Sequence, residues 1–235
     1  KFEKFRFQEQ FVALNAAEEE NLEAIKKWWE ENGTALTVVV ATVALVWGGW
    51  TFWQNSREST ISEASDRYEE ILELSATATG EPPPEADRAR IVAIADELKY
   101  SHGDTTYARY AALFAAQQAV LSNDLEAAEA QLRWVLDNTG GGLFSEPDTA
   151  LIMTASLRLG RILLAQGEPD QALALIEELD PGTFEAEFAE LRGDIYVSQG
   201  RLVDARDAYT TALQSAGGAN SFLQMKLDEL ANVSG

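Results

Sequence analysis

LGRILLAQGEPDQALALIEEL (159–179) recurs, in its small and apolar positions, as RGDIYVSQGRLVDARDAYTTAL (192–213). At an offset of 33 residues the matched pairs are Gly160 and Gly193, Gly167 and Gly200, Ala172 and Ala205, Ile176 and Tyr209, and Leu179 and Ala212. A more degenerate copy precedes them, with Ala116, Asn123, Ala128, Leu132 and Val135 in the corresponding places, and a glycine-rich loop (138–148) separates it from the next copy. Such a period predicts helical hairpins that stack into a solenoid, because one hairpin cannot bury its apolar face alone.

Further helices are predicted on both sides of the repeats. Apolar residues spaced three or four apart indicate helices over 58–79 and 86–101, and GEPPP (80–84) breaks the chain between them. A last helix is expected over 220–232. These helices would cap the two ends of the array, and the sequence therefore predicts an all-α fold.

A second decisive feature is ALTVVVATVALVWGGWTFW (35–53), a run without a charged residue. As a helix it would extend about 28 Å, close to the ~30 Å thickness of a hydrocarbon core. Tryptophan favours the membrane–water interface, and the expected anchors are Trp28, Trp29, Trp50 and Trp53. A buried core helix would carry a polar face, and a cleaved signal peptide would end in small residues. The run is therefore interpreted as one uncleaved transmembrane helix.

The run divides the chain into three parts. Residues 1–34 are expected to form a cytoplasmic tail with a juxtamembrane helix, 35–53 the transmembrane helix, and 54–235 a domain on the other side. Within the tail, residues 1–20 are expected to be flexible or to contain a short amphipathic helix, and Asn32-Gly33 is expected to interrupt the chain before the span. Basic residues near the two ends of the run balance, and the remaining basic residues of the tail favour a cytoplasmic N-terminus.

Composition argues against several function classes. The chain has 39 acidic and 18 basic residues, a net charge of −21, which disfavours nucleic acid and anionic headgroups as partners. It has no cysteine and one histidine, His102, so neither a metal site nor a nucleophilic triad is supported. His102 is expected at a helix C-terminus. Gly140 to Gly142 lack the lysine of a phosphate loop. The chain is therefore predicted to be no enzyme and to use no cofactor or metal.

The repeat at 193–212 resembles the tetratricopeptide repeat, with Gly193, Tyr196, Ala205, Tyr209 and Ala212 in its characteristic small and large positions. The resemblance implies a short tetratricopeptide-like solenoid whose first helices line a groove for peptides. The outward candidates for this partner-binding groove are Tyr110, Leu113, Gln117, Leu157, Arg161, Glu187, Glu190 and Asp194. The last three form an acidic lip, which would favour a basic partner segment. Alternatively, these residues only solvate a face or pack against the capping helix.

The whole layout resembles the YfgM family, ancillary subunits of the bacterial SecYEG translocon. The resemblance rests on ENLEAIKKWWEENGTAL (20–36), the single span, and LRGDIYVSQGRLVDARDAY (191–209). It implies a protein of the inner membrane, with its N-terminus in the cytoplasm and its domain in the periplasm. The implied partners are the SecYEG translocon, a periplasmic chaperone and client polypeptides.

Two functions follow as hypotheses. In the first, the chain is a translocon-associated, chaperone-like scaffold that binds polypeptides through the repeat groove. In the second, it is an accessory structural subunit of another membrane complex, docked through its span and N-terminal tail.

Overall fold

The computed structural model describes residues 2–76, 81–139 and 147–233, with side chains over residues 26–231 of these ranges. It divides into two compact units, Lys1–Ser59 and Thr60–Gly235. The described residues form α-helices and one short 3-10 turn, and no strand occurs among them. The helices are α1 (Phe2–Ser75), α2 (Glu85–Ser101), α3 (Thr106–Leu121), α4 (Leu125–Asp137), α5 (Thr149–Ala165), α6 (Pro169–Glu177), α7 (Glu185–Ser198), α8 (Leu202–Ser215) and α9 (Ser221–Val233). The predicted all-α fold is confirmed.

Helix α1 corrects the sequence-based description of the tail. Its backbone is helical from Phe2, where a flexible segment was expected, and it passes through Asn32 and Gly33 without a break. The Asn32 amide donates to the carbonyl of Trp28 one turn earlier, at 3.1 Å. An interior glycine lowers helix stability by only about 1 kcal/mol, which a long helix can tolerate.

The uncharged run 35–53 lies within α1, and its side chains are exposed. The helical stretch Lys26–Ser75 contains the candidate membrane span of the described residues, with mean hydropathy 1.8 and none of that window buried. The hydroxyls of Thr37, Thr42 and Thr51 donate to carbonyls one turn earlier, at 2.7, 2.8 and 3.0 Å. These bonds satisfy the polar atoms within the helix, as a hydrocarbon environment requires.

In the second unit, three hairpins follow one another: α3 with α4, α5 with α6, and α7 with α8. Two residues after the end of each first helix, the chain has a residue in the left-handed conformation: Asn123 (φ 58°), Gly167 (φ 81°) or Gly200 (φ 73°). After each turn the next amide donates back to a carbonyl five residues earlier, as from Arg201 to Tyr196 at 2.8 Å. These three residues occupy the same position in the sequence alignment, so the repeat register is confirmed.

Small residues at the helix crossings are required by close packing. A Cβ at Gly193 would collide with the ring of Tyr209, and one at Gly160 would lie 2.7 Å from a methyl of Leu191. Both glycines are buried. The expectation that Gly193 is a site of close contact is therefore confirmed.

Among its described residues, the second unit buries three apolar clusters. The first joins the end of α1 to α2 and α3 and includes Ala64, Ile71, Ile94 and Leu98. The central and largest cluster runs from α3 to α7, and the third joins α7, α8 and α9 around Tyr209 and Leu223. Apolar burial of this kind is the main stabilising term in a helical array, and here neighbouring helices share it.

The capping helices agree with the sequence-based bounds. The helix expected over 58–79 is the end of α1, which stops at Ser75, and the two others are α2 and α9. His102 is the C-terminal capping residue of α2, and its amide donates to the carbonyl of Leu98. The breaker Gly80 and the triglycine 140–142 lie outside the described residues.

Candidate partner-binding surface

The eight residues expected to line a groove lie on α3, α5 and α7, and they do not share one environment. Tyr110, Gln117, Arg161 and Glu187 are exposed. Leu113 and Leu157 are each only 6% exposed and belong to the central cluster, so the prediction that they point outward is wrong. Leu113 lies on α3, which is alanine-rich and buried around most of its circumference, so that only a narrow stripe of this helix is exposed. Leu157 lies on α5, where most of the residues around it are buried as well.

Two carboxylates of the acidic lip form ion pairs with a lysine of α9. The ammonium of Lys226 lies 2.8 Å from Glu190 Oε1 and 2.6 Å from Asp194 Oδ1. The hydroxyl of Tyr209 also donates to Asp194 Oδ1, at 2.6 Å. Only Glu187 remains exposed. One positive charge from α9 thus offsets part of the charge of the acidic lip, and Glu190 and Asp194 pack against the capping helix, as the alternative interpretation held.

The same contacts explain the protonation of Tyr209. Burial raises the pKa of the Tyr209 hydroxyl, and its hydrogen bond to Asp194 raises that pKa further. Because a carboxylate accepts the bond, the hydroxyl must keep its proton. The ammonium of Lys226 lies 5.3 Å from the centre of the Tyr209 ring and 4.8 Å from that of Phe222. Lys226 therefore fastens α9 to the last hairpin by charge and by ring contacts.

Four aromatic side chains meet where the end of α1 lies against α3. The ring of Tyr68 is 5.7 Å from that of Tyr107, 6.4 Å from that of Tyr110 and 6.0 Å from that of Phe114, between centroids. Tyr110 is exposed and the others are partly buried. Burial raises the pKa of Tyr68, and the neighbouring Tyr110 adds to that rise. Sequence reasoning identified only Tyr110, because Tyr68 is distant in sequence.

Two arginines follow on α5, one helical turn apart. Arg158 donates from Nη1 to the carbonyl oxygen of Leu113 on α3, at 3.4 Å. Burial lowers the pKa of Arg158, and the positive charge of Arg161 lowers it further. Among the described residues, neither arginine forms an ion pair within 4 Å. Two like charges thus stand together in a chain whose net charge is −21.

A hydrogen bond connects the helix that carries Arg158 and Arg161 to the helix that carries most of the aromatic side chains. Tyr107, Tyr110, Phe114 and Gln117 recur at helical spacing along α3, and the carbonyl of Leu113 that holds Arg158 lies beside this stripe. We call this set the aromatic–arginine surface, defined by Tyr68, Tyr107, Tyr110, Phe114, Gln117, Arg158 and Arg161. Aromatic faces and guanidinium groups suit the binding of apolar side chains and carboxylates.

The tryptophans expected at the membrane interface lie along α1 in the first unit. Trp28, Trp29, Trp50 and Trp53 are all exposed. The rings of Trp50 and Trp53 are 5.5 Å apart, and the guanidinium of Arg57 lies 5.1 Å from the centre of the Trp53 ring. Their role as anchors stays a prediction. In the part of the chain with described side chains, no group of three potential metal ligands comes together.

Comparison with known proteins gives a consistent set of relatives. The sequence model of the protein family described as "Tetratricopeptide repeat-like domain" matches residues 26–232. An "Ancillary SecYEG translocon subunit" of Haemophilus influenzae is 30% identical over 222 residues, which cover 93% of this chain and all of that protein. Proteins with the same name from Escherichia coli and Neisseria gonorrhoeae are each 30% identical, over 91% and 93% of this chain and 97% and 100% of their own. No solved structure matches the chain significantly.

Proposed function

Because the chain belongs to the tetratricopeptide repeat-like family that includes the ancillary SecYEG translocon subunits, we propose that it is a membrane-anchored scaffold of the Sec translocon. The observation that carries the proposal is the extent of the match. The relatives align over more than nine-tenths of this chain, so the match covers both the apolar helix and the repeats. A helical solenoid serves as a binding surface, and the proposed role is accordingly not catalytic.

The proposed arrangement places residues 1–34 in the cytoplasm, 35–53 in the inner membrane and 54–235 in the periplasm. Support comes from the exposed, uncharged run of α1 and from the tryptophans near its ends, with Trp28 before it and Trp53 at its end. Hydrocarbon would cover this apolar surface, which no other part of the described chain buries.

Within this arrangement, the repeat unit is the part that binds polypeptides, whether chaperones or translocating clients. Support comes from the exposed side chains of Tyr110, Gln117 and Arg161, which lie on first helices of successive hairpins. Such helices can present a continuous surface to a chain laid across them.

Co-purification tests the association. The full chain, tagged and expressed at native level, is isolated from membranes in a mild detergent, and SecYEG is expected to accompany it. A matched variant replaces 35–53 by an unrelated apolar span and keeps the repeat unit intact. Loss of SecYEG from that variant alone would assign docking to the span. Recovery of another membrane complex without SecYEG would contradict the proposal and favour the accessory-subunit hypothesis.

Proteolysis tests the topology. Protease added to spheroplasts should degrade residues 54–235 and leave the N-terminal tail detectable by an epitope placed on it. A cytoplasmic protein in the same sample serves as the control for lysis. Protection of the repeat unit until the cells are lysed would overturn the proposed orientation.

A further inference from the structure

We propose that the aromatic–arginine surface binds an extended polypeptide segment in which an aromatic side chain stands close to a carboxylate. The inference deepens the proposed function and rests on it, since it names the chemistry of the polypeptide that the repeat unit would bind. It also reverses the sequence-based expectation of a basic partner segment.

The first step is that the acidic lip is not available to a basic partner. Lys226 already forms ion pairs with both Glu190 and Asp194, at 2.8 and 2.6 Å, which leaves the three groups with a net charge of −1, and the Lys226 side chain is itself largely shielded, at 15% exposed. A basic peptide would have to displace an intramolecular cation whose effective concentration is high. Glu187 alone offers one solvated charge, which contributes little to binding.

The second step is that the arginines are available to an anion. Where an arginine of the repeat unit forms an ion pair, its carboxylate lies at 3.4 Å or less, as in Arg90 with Glu70 and Arg133 with Glu129. Arg158 and Arg161 have no such partner among the residues that the structure describes, although the chain carries 39 acidic residues. A carboxylate between them would relieve their mutual repulsion, and the planar guanidinium can bind it in a bidentate manner.

The third step is that Arg158 is hydrogen-bonded to the helix that carries Tyr107, Tyr110 and Phe114. Tyr110 is one helical turn from Leu113, whose carbonyl accepts the bond from Arg158 at 3.4 Å. A turn rises about 5.4 Å, and an extended chain advances about 3.3 Å per residue. An aromatic side chain packed on the Tyr68 and Tyr110 rings would therefore stand within a few residues of a carboxylate bound by the arginines.

The fourth step is that a polypeptide suits this surface better than a phosphate-rich partner does. The chain as a whole carries a net charge of −21 and repels lipid headgroups and nucleic acid at long range. The two arginines, one helical turn apart, instead offer a local pair of positive charges to a single carboxylate. Gln117, exposed on the same stripe of α3, supplies an amide that can both donate to and accept from a peptide backbone.

Fluorescence anisotropy provides the test, with the full chain in nanodiscs of neutral phosphatidylcholine. The probes are fluorescein-labelled glycine–serine peptides that carry phenylalanine with aspartates, phenylalanine with lysines, or aspartates alone. The phenylalanine–aspartate peptide should bind most tightly. Arg161→Glu should weaken it about tenfold at low salt and less at high salt, because the charge contribution is screened. Tyr110→Ala should weaken it at both salt concentrations.

Two matched control variants show whether a loss of binding comes from this surface or merely from a change in net charge or the loss of an aromatic ring. Arg201→Glu changes the net charge equally at an arginine that pairs with Asp204, and Tyr100→Ala removes a ring that is 93% exposed on α2. Both control variants should bind the peptide like the original chain. Helicity measured by circular dichroism should be unchanged in all four variants.

The opposite outcomes overturn the inference. Tightest binding of the phenylalanine–lysine peptide, equal effects of test and control variants, or no binding of any peptide would each refute it. Arg161-dependent capture of anionic vesicles without peptide binding would assign the surface to lipid and also refute it. The proposed function is tested separately. The Arg161→Glu variant should still co-purify with SecYEG, because that association does not depend on peptide binding.

Discussion

Replacing Gly193 by alanine should destabilise the repeat unit, although the same change in an open helix would stabilise it. Alanine is favoured over glycine in a helix interior by about 0.5–1 kcal/mol. At Gly193, however, the added Cβ would collide with the ring of Tyr209, and overpacking costs about 1–3 kcal/mol. The ring cannot swing away, because it is 3% exposed and its hydroxyl is bonded to Asp194 at 2.6 Å. We therefore expect a net loss of about 1–2 kcal/mol in the free energy of unfolding.

A double-mutant cycle isolates the collision. Tyr209→Val removes the ring atoms that a Cβ at Gly193 would meet. In that background Gly193→Ala should stabilise the unit by about 0.5–1 kcal/mol, so the sign of its effect should reverse. The exposed position Ala174 on α6 serves as the control, since Ala174→Gly measures the helix-propensity difference without any packing change.

The assay is urea unfolding of residues 60–235, which form a compact unit with their own core, followed by circular dichroism. The same sign and size of the Gly193→Ala effect in both backgrounds would refute the reasoning, because the ring would then not be the cause. Stabilisation by Gly193→Ala in the original chain would refute it as well.

Three further predictions concern other parts of the molecule. Lys226→Met should cost about 1–3 kcal/mol, because it leaves two partly buried carboxylates without their cation, and hydrogen exchange in α9 should accelerate. If α9 exchanges as before, the ion pairs do not fasten it. The unfolding free energy should fall above about pH 10, where the unfolded state loses the Tyr209 proton first, with a slope near 1.4 kcal/mol per pH unit. Tyr209→Phe should reduce that slope, and an unchanged slope would show that Tyr209 is not responsible. In bilayers, lipids brominated near the headgroup should quench single-tryptophan variants that retain Trp28 or Trp50 but not one that retains Trp134; equal quenching of all three would contradict the anchor assignment.

The repeat register could be predicted from the sequence because its determinants are local. Gly167 and Gly200 adopt left-handed conformations that favour glycine, and Asn123 is among the few other residues that tolerate one. A small residue is needed at Gly193 because one helix crosses another there, and the 33-residue spacing from Gly160 made that position recognisable in the sequence. Signals of this kind survive in sequence even when the other repeat positions diverge.

The binding surface could be predicted only in part, because its contacts are distant in sequence. Nothing near Glu190 or Asp194 in the sequence reveals that Lys226 pairs with both of them, and nothing near Tyr110 reveals its contact with Tyr68. The burial of Leu113 was missed for another reason: alanines surround it on α3, so hydrophobic periodicity could not separate an inner from an outer face.

The division of the repeat unit into three apolar clusters has a consequence for the way it melts. Each cluster joins only helices that are close together in the chain, so an end of the array can open locally before the whole unit unfolds. In the described part of the chain, the cluster of α7, α8 and α9 has the fewest buried residues of the three, and α7 is the helix that it shares with the central cluster. Heat should therefore release the C-terminal end first, as fraying does in a short helix, and leave the hairpins nearer to α2 folded at temperatures where α9 is already detached.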